Sequence, residues 1–142
     1  MAAYRGFADG ASRHTQNLDF AAWVIYYPID ELIASSGICL GLTTNNVVEY
    51  QAAIGLMTKA LSSGISNLII HMYSQLVVSQ LNGVYSIRDR TLLHLFHRIG
   101  LSERSFEFIR YHYVPRRFNI IGDSLAHFIL DWHLHICKNN FV

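Results

Sequence analysis

Residues 43–72 read TTNNVVEYQAAIGLMTKALSSGISNLIIHM, and this stretch decides the fold class. Its first four residues are good helix N-caps. The apolar residues that follow recur at helical spacing before Gly64, at Val47, Tyr50, Ile54, Met57 and Leu61. Asn67 to Met72 then has the apolar character of a buried strand. A long amphipathic helix that leads into a buried strand is typical of an α/β domain.

Three strands are predicted before this helix. Tyr4 to Asp9 forms the first and ends at the turn dipeptide Asp9-Gly10. Phe20 to Tyr27 is aromatic and β-branched, and Leu32 to Leu40 resumes strand character after the break at Pro28. Together these strands predict an antiparallel meander.

Three helices and one strand are predicted after Met72. Ser74 to Leu81 and Asp89 to about Arg104 favour helices. Phe106 to Val114 alternates like a strand, and Phe118 to about His135 carries one apolar helical face. The order βββ-α-β-α-α-β-α predicts an α/β fold with a five-stranded mixed β-sheet and helices on both faces. We assign residues 1–137 to a single domain and residues 138–142 to a C-terminal tail.

Composition excludes several classes of protein. The 142 residues are 51% hydrophobic and 15% charged, which excludes a disordered chain. The longest apolar run, Phe20 to Tyr27, is far shorter than a membrane-spanning helix. No basic leader is present, and Cys39 and Cys137 fit no disulfide-scaffold spacing. We therefore expect an intracellular protein with reduced thiols and no membrane association.

Charge is distributed unevenly although the net charge is only +1. Residues 88–117 hold seven arginines against Asp89, Glu103 and Glu107. The planar guanidinium fork suits phosphate recognition, so this segment favours a nucleic-acid contact. A solvated helix face would have the same composition, and the sequence leaves both interpretations open.

Three acidic residues stand at the predicted ends of elements: Asp9, Glu49 and Asp123. Carboxylates that meet at one end of a sheet are suitable ligands for Mg²⁺. Each acid also has a purely structural interpretation. Asp9 could form the Asp-Gly turn, Glu49 could complete a capping box with Asn46, and Asp123 could interact with a helix N-terminus.

Four motifs in order connect these acids. They are DGAS at 9–12, TNNVVEY at 44–50, YSQLV at 73–77, and PRRFN at 115–119 followed by GDSLA at 122–126. The chain resembles type 1 ribonuclease H, especially the reverse-transcriptase-like RNase H domains of plant retroelements. The resemblance runs from about Tyr4 to Trp132 and implies an RNase H-like fold in which the first strand is central.

The resemblance also implies a metal site. Asp9, Glu49 and Asp123 fall on three of the four carboxylates with which the family binds Mg²⁺, or alternatively Mn²⁺, for hydrolysis of the RNA strand of an RNA/DNA hybrid. Tyr73 falls on the fourth position. A neutral phenol is a poor ligand for Mg²⁺, so we expect reduced metal affinity and weakened or lost hydrolysis. His71, two positions earlier, is the nearest replacement but should lie about 6.6 Å from Tyr73 along the strand.

Substrate contacts follow from the same resemblance. Asn45, Asn46 and Gln75 fall where the family contacts the minor groove of the hybrid, and Arg116 and Arg117 could meet phosphate. The alternative role of the asparagines is helix capping. The alternative for the arginines is that they are solvent-exposed without a ligand. We therefore predict a nucleic-acid-binding RNase H domain whose retained enzyme activity is uncertain. The alternative is a non-catalytic protein-interaction module with a protein partner, which the high hydrophobicity favours.

Overall fold

The computed structural model describes residues 3–13, 18–26, 32–41 and 43–115. These residues form an α/β structure whose elements are β1 (Tyr4–Arg13), β2 (Leu18–Tyr26), β3 (Leu32–Gly41), α1 (Asn45–Ser62), β4 (Asn67–Met72), α2 (Gln75–Leu81), α3 (Arg90–Glu103) and β5 (Phe108–Tyr113). The predicted order of elements is confirmed up to β5. The predicted last helix, residues 118–135, and the tail lie outside the described residues.

The strands form one five-stranded mixed sheet in the order β3-β2-β1-β4-β5. β1 is antiparallel to β2 and parallel to β4, and β4 is parallel to β5. The predicted central position of β1 is therefore confirmed. Because the carboxyl ends of parallel strands meet at one edge, the residues that follow β4 lie beside the later part of β1.

β1 is longer than the sequence predicts. The expected turn at Asp9-Gly10 is wrong, since pairing with β2 continues to Arg13, which lies opposite Leu18. Gly10 has a packing role instead. A Cβ atom built on Gly10 would lie 2.3 Å from Cγ1 of Val48 in α1. The glycine permits close approach of a helix to the strand.

The main core lies between α1 and one face of the sheet. Tyr50, Leu56 and Met57 of α1 are fully buried, as are Leu68 and Ile70 of β4. Burial of one such side chain contributes roughly 1.5–3 kcal/mol. α3 packs on the other side of α1, with Leu92, Leu95 and Ile99 turned inward. This packing fixes α1, whose first turns reach the candidate site.

The interior glycine of α1 is explained by Trp23. Three ring atoms of the indole would lie 2.3–2.7 Å from a Cβ atom on Gly55. Glycine costs about 1 kcal/mol in a helix interior relative to alanine. Glycine is nevertheless required at this position, because β2 places a large aromatic side chain directly against the helix.

Each described helix begins at a capping side chain. Thr44, Ser74 and Asp89 accept hydrogen bonds from the backbone N–H groups of Val47, Val77 and Leu92. These bonds satisfy donors that the first turn of a helix cannot satisfy itself. Among the helices in the described ranges, none is both long and apolar enough to cross a membrane.

Candidate metal and nucleic-acid site

Asp9 is a buried carboxylate in the central strand. It pairs with Ala22 of β2, and only 1% of its surface is exposed. The backbone N–H of Gly10 donates to Asp9 Oδ1 at 2.8 Å. A carboxylate is costly to bury unless its oxygens are satisfied. Its placement inside a paired strand rules out the Asp-Gly turn as its structural explanation.

Glu49 is brought to the same place by α1. A Cβ atom on Gly10 would lie 3.5 Å from Glu49 Oε1, so this carboxylate sits directly against the residue that follows Asp9. Glu49 is also buried, with 8% of its surface exposed. The capping-box interpretation is wrong, because Thr44 is the N-cap and Glu49 lies five residues beyond it. A buried carboxylate of α1 thus contacts Gly10, the residue that follows the buried carboxylate of β1.

Tyr73 is the residue that immediately follows β4, the strand next to the one that carries Asp9. Met72 is the last residue of β4, and it pairs with Ala8 of β1. Tyr73 and Asp9 are therefore the next residues along two parallel, adjacent strands. Tyr73 is half-buried. A residue with a neutral phenol therefore follows β4, at the end of the sheet where β1 carries Asp9.

A loop anchor near this edge was missed by the sequence analysis. The carboxylate of Asp19, at the start of β2, is buried and accepts a hydrogen bond from the backbone N–H of Thr43. Thr43 immediately precedes the N-cap of α1. Asp19 therefore fixes the start of the helix that carries Asn45, Asn46 and Glu49. The partners are 24 residues apart, and no local motif indicates such a contact.

Asn45, Asn46 and Gln75 occupy the first turns of two helices. Because Thr44 caps α1, neither asparagine is the N-cap, and the capping alternative for them is wrong. Asn45 and Gln75 are exposed, and Asn46 is half-buried. Gln75 follows the Ser74 cap of α2, at the same sheet edge as Tyr73. The amide side chains of these residues can donate and accept hydrogen bonds.

Tyr50, next to Glu49, joins the two helices. Its hydroxyl donates to Gln80 Oε1 of α2 at 2.8 Å, and burial raises the pKa of Tyr50 to about 12. The tyrosine of the TNNVVEY motif is therefore a neutral structural link between α1 and α2. It holds Glu49 and Gln75 in a fixed relationship.

His71 does not provide a replacement ligand. Its ring stacks on Phe7 with centroids 4.7 Å apart, and both ring nitrogens are buried without a hydrogen-bond partner within the described residues. Burial, followed by the charges of Arg5 and His112, lowers the pKa of His71 to about 4. The side chain is a neutral, packed histidine.

The arginines of α3 and its flanks lie on the outside. Arg88, Arg90, Arg98 and Arg104 are exposed. Two of the three nearby acids are engaged locally, since Asp89 caps α3 and Glu103 Oε1 accepts from the Tyr111 hydroxyl at 2.6 Å. Among the described residues of this segment, five arginines stand against three acids, so its surface carries a modest cationic excess. This exposure is compatible both with a phosphate contact and with a solvated helix face.

Three predicted site residues, Asp123, Arg116 and Arg117, lie outside the described residues. Within ranges 3–13, 18–26, 32–41 and 43–115, no group of three histidine, cysteine or acidic side chains could hold a metal ion. Asp9 and Glu49 supply two oxygen donors of the kind that a hard divalent cation prefers. The donor chemistry of these two residues fits Mg²⁺, whereas the phenol of Tyr73 does not.

The sheet order, the crossover helix and the carboxylate edge together define the RNase H fold. RNase H1 from the halophilic archaeon Halobacterium salinarum has a similar structure, with a TM-score of 0.79 and 31% identity over 90% of this chain and 97% of that chain. The N-terminal RNase H domain of a Mycobacterium tuberculosis protein gives a TM-score of 0.82 and 28% identity, over 96% and 99% of the two chains. LC11-RNase H1, solved in complex with an RNA/DNA hybrid, gives 0.79 and 26% over 92% and 99%.

The family model described as reverse transcriptase-like matches residues 7–129. The chain belongs to this family of RNase H-like domains. A bifunctional protein of M. tuberculosis is 32% identical over 125 residues, which are 87% of this chain and 34% of that protein. Ribonuclease HI of H. salinarum is 31% identical over 125 residues, which are 88% of this chain and 63% of that enzyme. The chain thus spans about a third of the first relative and less than two thirds of the second.

Proposed function

We propose that this chain is a nucleic-acid-binding RNase H domain that engages RNA/DNA hybrids and hydrolyses the RNA strand weakly or not at all. One observation carries the proposal: Glu49 of α1 contacts Gly10, the residue that follows buried Asp9. On the adjacent parallel strand, the position after the last registered pair is Tyr73. The fold and three of the four carboxylate positions are retained in the sequence, and the fourth, immediately after β4, is a neutral residue.

Asp9, Glu49 and Asp123 are the proposed ligands of Mg²⁺. A bound divalent ion would supply activation of a water molecule and stabilisation of the leaving oxygen. In this chain, pairing of β1 with β2 holds Asp9 in place, and the packing of α1 holds Glu49 against Gly10. Tyr73 adds bulk without an anionic oxygen. We therefore propose reduced affinity for the ion rather than its complete exclusion.

Hybrid recognition is assigned to the amides around this edge and to the arginines of the following loop. Exposed Asn45 and Gln75 can hydrogen-bond to 2′-hydroxyls and base edges in the wide, shallow minor groove of an A-like duplex. Arg116 and Arg117 are assigned to phosphates. LC11-RNase H1, which binds a hybrid, supports this assignment by its overall similarity to the chain.

The binding test uses fluorescence anisotropy with a labelled RNA/DNA hybrid and, separately, a DNA duplex of the same sequence. We expect the hybrid to bind more tightly, because only the hybrid displays 2′-hydroxyls. The Asn45→Ala, Gln75→Ala double variant should reduce this preference. Thr91→Ala, at an exposed position of α3, is the matched control and should bind like the wild type. Equal affinity for the two duplexes would contradict hybrid recognition.

A protein-interaction module is the second candidate, and specific exposed side chains favour it. Val84 is 70% exposed, Leu101 63% and Tyr85 54%. Exposed apolar groups of this size are common at interaction surfaces when they are contiguous. Under this alternative, the anisotropy experiment should detect no hybrid binding at low salt. Salt-sensitive hybrid binding would favour the first candidate.

A further inference from the structure

A cleft lies beside α1. It encloses about 450 Å³ between α1, α3 and the strands β2 and β3. This volume falls within the range of small-molecule sites. The side chains that matter for its chemistry are Trp23, Ser36, Ile38, Gln51, Lys59 and Arg98.

The cleft is separate from the candidate metal site. Lys59 is ten positions beyond Glu49 on the same helix, which corresponds to about 15 Å along the helix axis at 1.5 Å per residue. Glu49 lies in the first turns of α1, whereas Lys59 lies in its last turn. Gln51 marks the end of the cleft nearer to Glu49, and a phosphate held at Lys59 would lie at the far end.

The polar groups of the cleft favour an anion. Lys59 and Arg98 are both exposed and line it from two different helices. Among the described residues that line the cleft, none is acidic, and neither cation forms an ion pair within the described part of the chain. Lys59 lies near the negative, C-terminal end of the α1 dipole, which is a structural explanation for its charge. Arg98 is not in the last turn of α3 and has no such explanation.

The hydroxyl groups of the cleft add little to this recognition. Thr58 Oγ1 donates to the Ile54 carbonyl at 2.8 Å, and Ser62 Oγ donates to the Lys59 carbonyl at 2.9 Å. Their protons are already engaged on α1. The two cations and the Gln51 amide are therefore the main available donors.

The apolar part of the cleft is flat and fixed. The Trp23 indole packs against Gly55, where a Cβ atom would lie 2.3 Å from Cζ3. The helix thus holds the ring in one position. Ile38, 46% exposed, extends the apolar surface along β3. An aromatic ring with an aliphatic neighbour is a suitable surface for a planar base.

We propose that this cleft binds a nucleoside monophosphate unit, with its phosphate at Lys59 and Arg98 and its base against Trp23 and Ile38. Arginine and lysine together suit a phosphate that carries two negative charges, because the guanidinium fork donates two parallel hydrogen bonds and the ammonium adds a compact charge. The unit is either a free nucleotide or part of a nucleic-acid strand. The site is independent of the hybrid-binding edge proposed above.

Tryptophan fluorescence provides the test. The chain has two tryptophans, so Trp132→Phe leaves Trp23 as the only reporter. AMP should change Trp23 emission saturably, whereas adenosine and orthophosphate should each bind at least about tenfold more weakly, because each lacks one half of the recognised group. Equilibrium dialysis of AMP with the wild-type chain gives an independent measurement should Trp132→Phe fail to fold.

Paired variants locate the binding. Lys59→Gln with Arg98→Gln should weaken AMP binding about tenfold or more, as expected for the loss of two charge-assisted contacts. Arg88→Gln with Arg104→Gln removes the same number of charges from exposed positions outside the cleft and should leave AMP affinity unchanged. A single-stranded oligonucleotide that gives the same Lys59- and Arg98-dependent change would identify a strand as the source of the unit.

Three results would overturn the proposal. The first is the absence of saturable AMP binding at millimolar concentration, and the second is orthophosphate binding as tight as AMP binding. The third is an equal loss of AMP affinity in the two paired variants. Hybrid affinity measured on the same proteins separates the two proposals. Hybrid binding by the wild-type chain without saturable AMP binding would reject the cleft proposal alone.

Discussion

Asp9 and Tyr73 each follow the last registered pair of the parallel strands β1 and β4, Ala8 and Met72, so the two residues occupy equivalent positions on neighbouring stretches of the chain. Glu49 reaches the same edge from α1, directly against Gly10. The domain therefore retains a rigid frame for two carboxylates and has a neutral side chain beside them. Substitutions at these residues and at the residues that pack around them therefore test the account.

Gly10→Ala should destabilise the domain. Alanine normally improves on glycine in a strand by about 0.5–1 kcal/mol. Here its Cβ atom would lie 2.3 Å from Val48 Cγ1, and overpacking of this kind costs about 1–3 kcal/mol. Urea denaturation measures the difference. Adding Val48→Ala should recover part of the loss, and an unchanged unfolding midpoint for Gly10→Ala would contradict the close packing of α1 on β1.

Two helix glycines should respond with opposite signs to the same substitution. Gly100→Ala in α3 should stabilise the domain by up to about 1 kcal/mol, since within the described part of the chain no atom from another element lies within 4 Å of the added methyl group. Gly55→Ala should destabilise it, because the methyl group would collide with the Trp23 ring. Thermal and urea unfolding of the two variants provide the comparison. Stabilisation by both substitutions would show that Trp23 does not fix the α1 surface.

His71 should make stability depend on pH. Its pKa is about 4 in the folded chain and about 6.5 when unfolded, so the unfolded chain takes up the proton first as pH falls. Stability from the neutral ring is fully present above about pH 6.5 and is lost toward pH 4. After discount for solvent screening, we expect a loss of about 1–2 kcal/mol.

The difference between wild type and His71→Phe isolates this contribution, because acidic groups titrate in both proteins. The variant keeps a ring beside Phe7 and should lose less stability between pH 7 and pH 4. His94→Gln, at an exposed position, is the control and should follow the wild-type curve. Parallel curves for wild type and His71→Phe would reject this role for His71.

Arg116 and Arg117 should carry part of the salt dependence of hybrid binding. Each phosphate contact contributes about 0.9 to the magnitude of the log–log salt slope for a duplex. The double alanine variant should therefore give a flatter slope. Arg110→Ala is a useful control, because the Arg110 guanidinium lies over the Phe108 ring at 4.5 Å and is engaged locally. An unchanged slope for the double variant would place the phosphate contacts elsewhere.

The order of elements was predictable from the sequence because strand and helix periodicities differ clearly along the chain. Local motifs were less reliable at the site. Asp9-Gly10 has the composition of a turn, yet Gly10 is required by Val48, a residue distant in sequence. The four consecutive cap-forming residues 43–46 span the start of α1, and the choice of Thr44 as the N-cap depends on tertiary structure.

The long-range contacts at the site could not be read from local patterns. Asp19 anchors Thr43 across 24 residues, and nothing near Asp19 in the sequence indicates this bond. The likeness of the motifs predicts that Asp9, Glu49, Asp123 and Tyr73 belong to one site. The approach of Glu49 to Gly10 depends on how α1 packs on the sheet. Sequence periodicity predicts the helix but not its position.

The central claim is that the phenol of Tyr73 limits hydrolysis, and one measurement tests it most directly. Cleavage of the RNA strand of a labelled hybrid is compared, with Mg²⁺, between wild type, Tyr73→Asp, and Tyr73→Asp with Asp9→Asn. We expect little or no cleavage by wild type, measurable cleavage by Tyr73→Asp, and its loss in the double variant, because an added carboxylate completes the ligand set. Strong Mg²⁺-dependent cleavage by the wild-type chain that is abolished by Asp9→Asn alone would contradict the claim.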